Sequence, residues 1–167
     1  MPELKSSTPG RLKAAKIPEL RTVIRLGKDR TPGTLNFDDV ASSGGNAERV
    51  RLAELADTLQ FDDPINIQFT SGTTGFPKGA TLTHHNILNN GYFVGSAIRL
   101  GPEDRLCIPV PFYHCFGMVM GNLASTSHGA CVVIPAPAFD PAATLQAVQD
   151  ERCTSLYGVP TMFIAEL

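Results

Sequence analysis

Apolar residues recur along this chain with changing spacing, and the pattern sharpens at Asp62. Upstream, residues 23–26 predict a short strand, Thr31-Pro32-Gly33 a turn, and the Ser-Ser-Gly-Gly-Asn run at 42–46 a loop. Asn46 is expected to cap a helix reaching about Gln60, with Leu52, Leu55, Ala56 and Leu59 on one apolar face. Downstream, Ile65, Ile67 and Phe69 alternate with Asn66 and Gln68, the period of a strand. Residues 79–82 predict a second short strand, closing the loop between them into a hairpin-like unit. Thr83 then caps a helix carrying Ile87, Leu88 and, on its far side, Tyr92.

The rest of the chain alternates strand and helix. Strands are expected at 105–110, 130–134 and 154–157. A helix-like stretch lies at 116–127, a second helix opens at Asp140-Pro141 and runs to about Glu151, and a third starts at Thr161. Strands separated by helices argue for βαβ units, so the expected fold class is α/β, a mostly parallel sheet with flanking helices. At least four strands are expected between Ile65 and Tyr157. Residues 1–16 are polar and basic and predict a flexible lead-in; residues 17–167 form one partial domain.

Charge and composition then narrow the partners. Fourteen basic against sixteen acidic residues leave a net charge of −2, which does not suit nucleic acid or an anionic membrane as the main partner. No apolar run approaches the roughly 18 residues of a transmembrane segment. The first ten residues lack the apolar centre of a signal peptide, so the default location is cytoplasmic. Cysteines at 107, 115, 131 and 153 form no Cys-x-x-Cys pair and read as free thiols rather than a zinc site. Cys115 follows His114, but sequence neighbours point apart on a helix or strand, which weakens a nucleophilic pair. His84 and His85 fall in the first turn of a helix, where capping or bracing suits them, and His128 reads as structural at a helix end.

The densest chemistry lies between the first two strands of the alternating region. Phe-Thr-Ser-Gly-Thr-Thr-Gly-Phe-Pro-Lys-Gly, residues 69–79, holds three glycines, four hydroxyls, one lysine and no carboxylate. Glycines let backbone N–H groups approach an anion, hydroxyls at Thr70, Ser71, Thr73 and Thr74 donate further bonds, and Lys78 adds a charge. The bland alternative is a surface turn between strands. The run is not a Walker A motif: Lys78 is preceded by Pro77, which has no N–H, and followed by Gly79 rather than a hydroxyl residue.

This run, continued by Ala-Thr-Leu-Thr-His-His-Asn, resembles the phosphate loop of the adenylate-forming enzymes: acyl-CoA synthetases, luciferases and peptide-synthetase adenylation domains. Pro-Phe-Tyr-His-Cys-Phe-Gly at 111–117 resembles the family segment that brings an aromatic or His side chain to the substrate carboxylate. Tyr-Gly-Val-Pro-Thr at 157–161 resembles the strand end beside the acyl pocket. From about Ile17 to Leu167 the chain is similar to a medium-chain fatty acyl-CoA ligase. The resemblance implies ATP, Mg2+ and coenzyme A as cofactors and a fatty acid as substrate. A carboxylate attacks the α-phosphate of ATP, releasing pyrophosphate, and the acyl group then passes to the thiol. Thr70, Ser71, Gly72, Thr73, Thr74, Gly75, Pro77, Lys78 and Gly79 would hold the ATP phosphates; no metal ligand is assignable. His114, Tyr113 and Gly117 on one side, and Tyr157, Gly158 and Pro160 on the other, would border the acyl pocket. Packing in an aromatic cluster is the alternative for His114, and a plain turn for Gly158.

The family's later Tyr-Gly-x-Thr-Glu and Thr-Gly-Asp segments, and its small domain with a catalytic lysine, have no match in the 167 residues. The expectation is an internal piece of the N-terminal domain, catalytically silent by itself and prone to self-association through uncovered sheet edges or an apolar face. The alternative function is a non-catalytic module that at most binds phosphate or nucleotide.

Overall fold

The computed structural model describes residues 1–72 and 75–167 and divides them into two compact units, Met1–Leu59 and Gln60–Leu167. Thr73 and Thr74, both assigned to the phosphate loop from the sequence, lie outside the described residues.

In the first unit, a 3-10 turn (Pro2–Ser6) precedes two short parallel strands, β1 (Ile24–Arg25) and β2 (Leu35–Asn36). Leu12 and Ala14 are buried, alternating with exposed Arg11 and Lys13. Two helices follow, α1 (Phe37–Ser43) and α2 (Asn46–Ala56). Three sequence expectations change here. Ser42 and Ser43 end α1 instead of opening a loop. Gly45, not Asn46, is the N-cap of α2, because Glu48 reaches back to accept the Gly45 N–H at 2.8 Å. The helix also stops at Ala56, and the expected apolar face of Leu52, Leu55 and Leu59 is exposed. The signal for α1 was Asp38 and Asp39, whose charge suits a helix N-terminus.

The second unit begins with a β-hairpin, β3 (Pro64–Thr70) and β4 (Lys78–Thr83), antiparallel and in register from Asn66↔Leu82 to Thr70↔Lys78. Ile65, Ile67 and Phe69 sit on β3 as their alternation predicts, but that side is exposed. Thr83 caps α3 (His84–Ala97): its hydroxyl accepts the Asn86 N–H at 3.2 Å, while Asn86 Oδ1 accepts the Thr83 N–H. The His84 and His85 N–H groups bond back to Asp63 and Phe61, bracing the entry to β3.

The remaining strands form a three-stranded parallel sheet in the order β6-β5-β7. They are β5 (Arg105–Cys107), β6 (Cys131–Val133) and β7 (Ser155–Leu156). Between β5 and β6 runs a π-helix (Phe116–Leu123) continued by α4 (Ala124–His128). Then α5 (Pro141–Asp150), capped by Asp140, crosses over to β7, and α6 (Pro160–Glu166) ends the chain. The α/β class and the parallel sheet therefore stand, with the hairpin as a separate antiparallel element. The glycines at 91 and 95 of α3 let it lie close against Leu123 and His128. His128 fixes that contact, bonding Ser96 Oγ at 3.1 Å and stacking on Tyr92. The core centres on β5 and the residues after it: Leu106, Cys107 and Ile108 are almost wholly buried. Leu100, Val110, Ala124 and Ala130 close around them.

The central strand is tied to β7 by a polar bridge. Asp104 accepts bonds from Thr154 Oγ1 at 2.8 Å and the Gly101 N–H at 2.9 Å, and these hold its carboxyl below the ordinary value near 3.8. A lowered folded value gives stability that is complete above the unfolded pKa and lost as pH falls through the folded one. Asp104→Asn is expected to flatten that acid limb below about pH 4, measured by urea unfolding across pH. An unchanged acid limb in the variant would count against this role.

Candidate functional site

The hairpin carries the glycine- and hydroxyl-rich run. Thr70 and Lys78 face each other across the ladder, which clamps the two ends of the run. Inside it, the Gly72 N–H donates to Thr70 O at 2.9 Å and the Gly75 N–H to Gly72 O at 3.0 Å. Those two backbone donors serve the turn; among the described residues of the run, Thr70, Ser71 and Lys78 carry side-chain donors. Gly72 is tightly enclosed: a Cβ there would stand 2.2 Å from Phe76 O and 3.4 Å from Lys78 Cγ. Gly75 has open space around it, but its φ of +85° is left-handed, a backbone state suited to glycine. Ser71, Pro77, Lys78 and Gly79 are exposed, as is the loop's Phe76.

The second group of expected site residues lies beyond the carboxyl ends of the parallel strands, where open α/β sheets bind ligands. The chain leaving β5 runs through residues 111–117, and the chain leaving β7 through 157–160. Phe116 and Tyr157 bring the two together, their ring centroids 5.1 Å apart, and the Tyr157 O–H donates to Met120 O at 3.1 Å. Burial pushes the Tyr157 phenol up, so it stays a neutral donor. Gly117 is buried under the Val110–Pro111 backbone: a Cβ would meet Pro111 O at 2.4 Å. Gly158 lies against the Phe163 ring, and Pro160 starts α6.

Tyr113 and His114 do not pack into the aromatic cluster; both are exposed, while Phe112 and Phe116 turn into the core. His114 Nδ1 accepts the Phe116 N–H at 3.1 Å, which assigns the neutral ring's proton to Nε2 and presents that atom as a donor. Cys115 Sγ is 3.8 Å from the same Nδ1. Because the backbone already occupies that nitrogen, the ring is poorly placed to activate the thiol.

Between the hairpin and the 113–117 segment lies a cavity of about 500 Å³. Leu82, Asn86, Ile87 and Asn90 line one wall and Val119 and Met120 another, with Cys115 also at its edge. Asn86, Asn90, Val119 and Met120 are site positions that the motifs alone do not mark. Their signal was the one-turn spacing of Asn86, Ile87 and Asn90 on the helix after the loop. Among the described residues no group of His, Cys, Asp and Glu is placed to hold a metal, and no helix is long and apolar enough to cross a membrane.

The family model described as AMP-binding enzyme matches residues 5–167, and the chain belongs to that family. YngI of Bacillus subtilis is 48% identical over 167 residues, covering 100% of this chain and 30% of its own length. The mitochondrial medium-chain acyl-CoA ligase ACSF2 of Danio rerio is 46% identical over 165 residues, covering 98% of this chain and 27% of its own. Among solved structures, ATP-bound MatB from Rhodopseudomonas palustris superposes with a TM-score of 0.57 at 36% identity, over 65% of this chain and 21% of MatB. The chain thus spans less than a third of the length of the curated relatives it matches. The family and the parallel-sheet fold agree with the resemblance read from the loop.

Proposed function

We propose that these residues supply the phosphate loop and part of the acyl pocket of an ATP-dependent fatty acyl-CoA ligase. The observation that carries this reading is the loop itself, its ends held by Thr70↔Lys78 pairing and its run free of carboxylates. In the reaction, Thr70, Ser71 and Lys78 steady the β- and γ-phosphates while the fatty carboxylate attacks the α-phosphate. The same bonds favour the departing pyrophosphate, whose charge grows in the transition state. Thr73, Thr74, Gly75, Pro77 and Gly79 complete the loop by the family match. Mg2+ would accompany the ATP, and the run itself offers no carboxylate to hold it. His114 Nε2–H donates to the acyl carboxylate, and Gly117, Tyr157, Gly158 and Pro160 shape the pocket beside it, with Tyr113 at the rim. Coenzyme A takes the acyl group in the second half-reaction. The zebrafish relative is named as mitochondrial and lends no support to a cytoplasmic default.

The test is fatty-acid-dependent ATP–pyrophosphate exchange by a chimera in which residues 60–167 replace the corresponding stretch of the zebrafish ligase. Exchange is expected to persist, and Lys78→Ala to lower it about 10- to 100-fold, the loss of one hydrogen bond to a charged group. His114→Ala should change the apparent affinity or rate for fatty acid and leave that for ATP nearly unmoved. Full exchange by the Lys78→Ala chimera would defeat the loop assignment; equal effects of His114→Ala on both substrates would remove that residue from the carboxylate site.

One observation favours a second reading for the 167 residues alone. Ile67, Phe69 and Phe76 are 59%, 73% and 81% exposed on or beside the hairpin. Exposed large apolar side chains on one hairpin promote association. In that reading the chain folds, self-associates and binds at most phosphate or nucleotide. Light scattering of the 167-residue chain should then give a dimer or larger species, and a monodisperse monomer would refute the association.

A further inference from the structure

Half of the chain's fourteen Lys and Arg residues fall between positions 11 and 30, where only Glu19 and Asp29 are acidic. This concentration is hidden in the net charge of −2. The first unit folds part of it around a concavity of about 460 Å³ lined by Gly10, Arg11, Leu12, Lys13, Pro18 and Arg21. The wall is built by the backbone. The Leu12 N–H donates to Arg21 O at 2.8 Å, tying the two sides together. Turns at Ile17→Ala14 and Leu20→Ile17 return the chain between them. Leu12 and Ala14 are buried while Arg11 and Lys13, the residues before and between them, are exposed. Arg21 joins them across the Leu12–Arg21 bond. Among the described residues none of the three cations makes an ion pair, whereas Arg25 and Arg30 are paired with Asp29 and Asp39. Glu3 accepts the Ala15 N–H and Glu19 is exposed nearby; neither lines the concavity.

We infer that Arg11, Lys13 and Arg21 form a second anion site, separate from the 70–79 loop, that takes a phosphate group of charge −2 or more. Two guanidinium groups offer planar forks to phosphate oxygens and the ammonium adds a point charge. Three like charges line one concavity that no carboxylate lines, and a multivalent anion there relieves their mutual repulsion. The size of the concavity suits a phosphate or pyrophosphate moiety of a small molecule; a lipid headgroup carries the same chemistry.

The test is a titration of the 167-residue chain with inorganic pyrophosphate, followed by backbone amide shifts, with a parallel flotation assay on phosphatidylcholine vesicles with and without phosphatidic acid. Amides at and around Leu12 and Arg21 should shift saturably. Arg11→Gln, Lys13→Gln and Arg21→Gln should each weaken that site about tenfold, the value of one charge-assisted contact. Shifts at the 70–79 loop should be unaffected, so failure of either site is visible independently of the other. Saturable pyrophosphate shifts identify a free phosphate compound as the ligand. Flotation only with phosphatidic acid, lost in the same variants, identifies a headgroup. Non-saturating shifts spread over all exposed lysines and arginines, or no response of residues 11–21 to either probe, would overturn the inference.

Discussion

Gly72→Val is expected to abolish phosphate capture by the 70–79 loop while leaving the parallel sheet folded. A Cβ at this position would stand 2.2 Å from Phe76 O, a backbone atom that cannot swing aside as a side-chain tip can. The loop must therefore open, and opening breaks the Gly72 N–H to Thr70 O and Gly75 N–H to Gly72 O bonds that give it shape. Valine adds two methyl groups against the Lys78 stem, displacing the one cation of the run. The loss of pyrophosphate affinity should exceed about 100-fold, more than for Lys78→Ala, because several positioned groups move together. Gly75→Val acts differently. Open space surrounds Gly75, so its cost is the left-handed backbone, about 1–2 kcal/mol, and the effect on binding should be smaller. Pyrophosphate titration of both variants, with circular dichroism to confirm the fold, measures the order. Equal, wild-type-like affinity in Gly72→Val would show that the loop's shape is irrelevant to binding.

Leu106→Ala should produce the largest loss of stability. Leu106 is fully buried on the middle strand, flanked by Val132 of β6 and Ser155 of β7. It belongs to the cluster that also holds Leu100, Ile108, Val110 and Ala124. A Leu→Ala change at such a position removes transfer energy and leaves a cavity that close-packed neighbours fill only in part, costing about 2–5 kcal/mol. For a unit of this size each kcal/mol lowers the midpoint of thermal unfolding by roughly 4–8 °C. Phe116 and Tyr157 both pack on this cluster, so the strand-end segments should loosen with it. Unfolding followed by denaturant and heat checks the magnitude; a loss below about 1 kcal/mol would mean that the core is not centred on β5.

How much of this was legible in the sequence varied with the kind of signal. The hairpin strands, the Thr83 and Asp140 caps and the parallel strands followed from local patterns, because alternation, capping side chains and apolar runs act over a few residues. The burial of β3 did not follow. Alternating Ile65, Ile67 and Phe69 correctly gave a strand, yet periodicity records which side is apolar and not whether anything covers it. Asn46 was misread because it matches the preferred cap residues, while the actual cap at Gly45 depends on Glu48 reaching back from N3. Within the site, the loop was fully legible as a composition, and its clamping by Thr70 and Lys78 followed from the flanking strands. The cavity beside Asn86, Asn90 and Met120 was not, since it arises where a helix meets a π-helix far along the chain. The exposure of Tyr113 and His114 next to core-facing Phe112 and Phe116 was equally hidden: four aromatic-type residues within five positions give no period to sort them.

The claim that the 70–79 loop grips phosphate is tested most directly by amide shifts of the 167-residue chain titrated with magnesium pyrophosphate. Saturable shifts are expected at Ser71, Gly72, Gly75, Phe76, Lys78 and Gly79, and they should disappear in Gly72→Val. Absence of any shift in this loop at saturating pyrophosphate, with the hairpin folded, would contradict it.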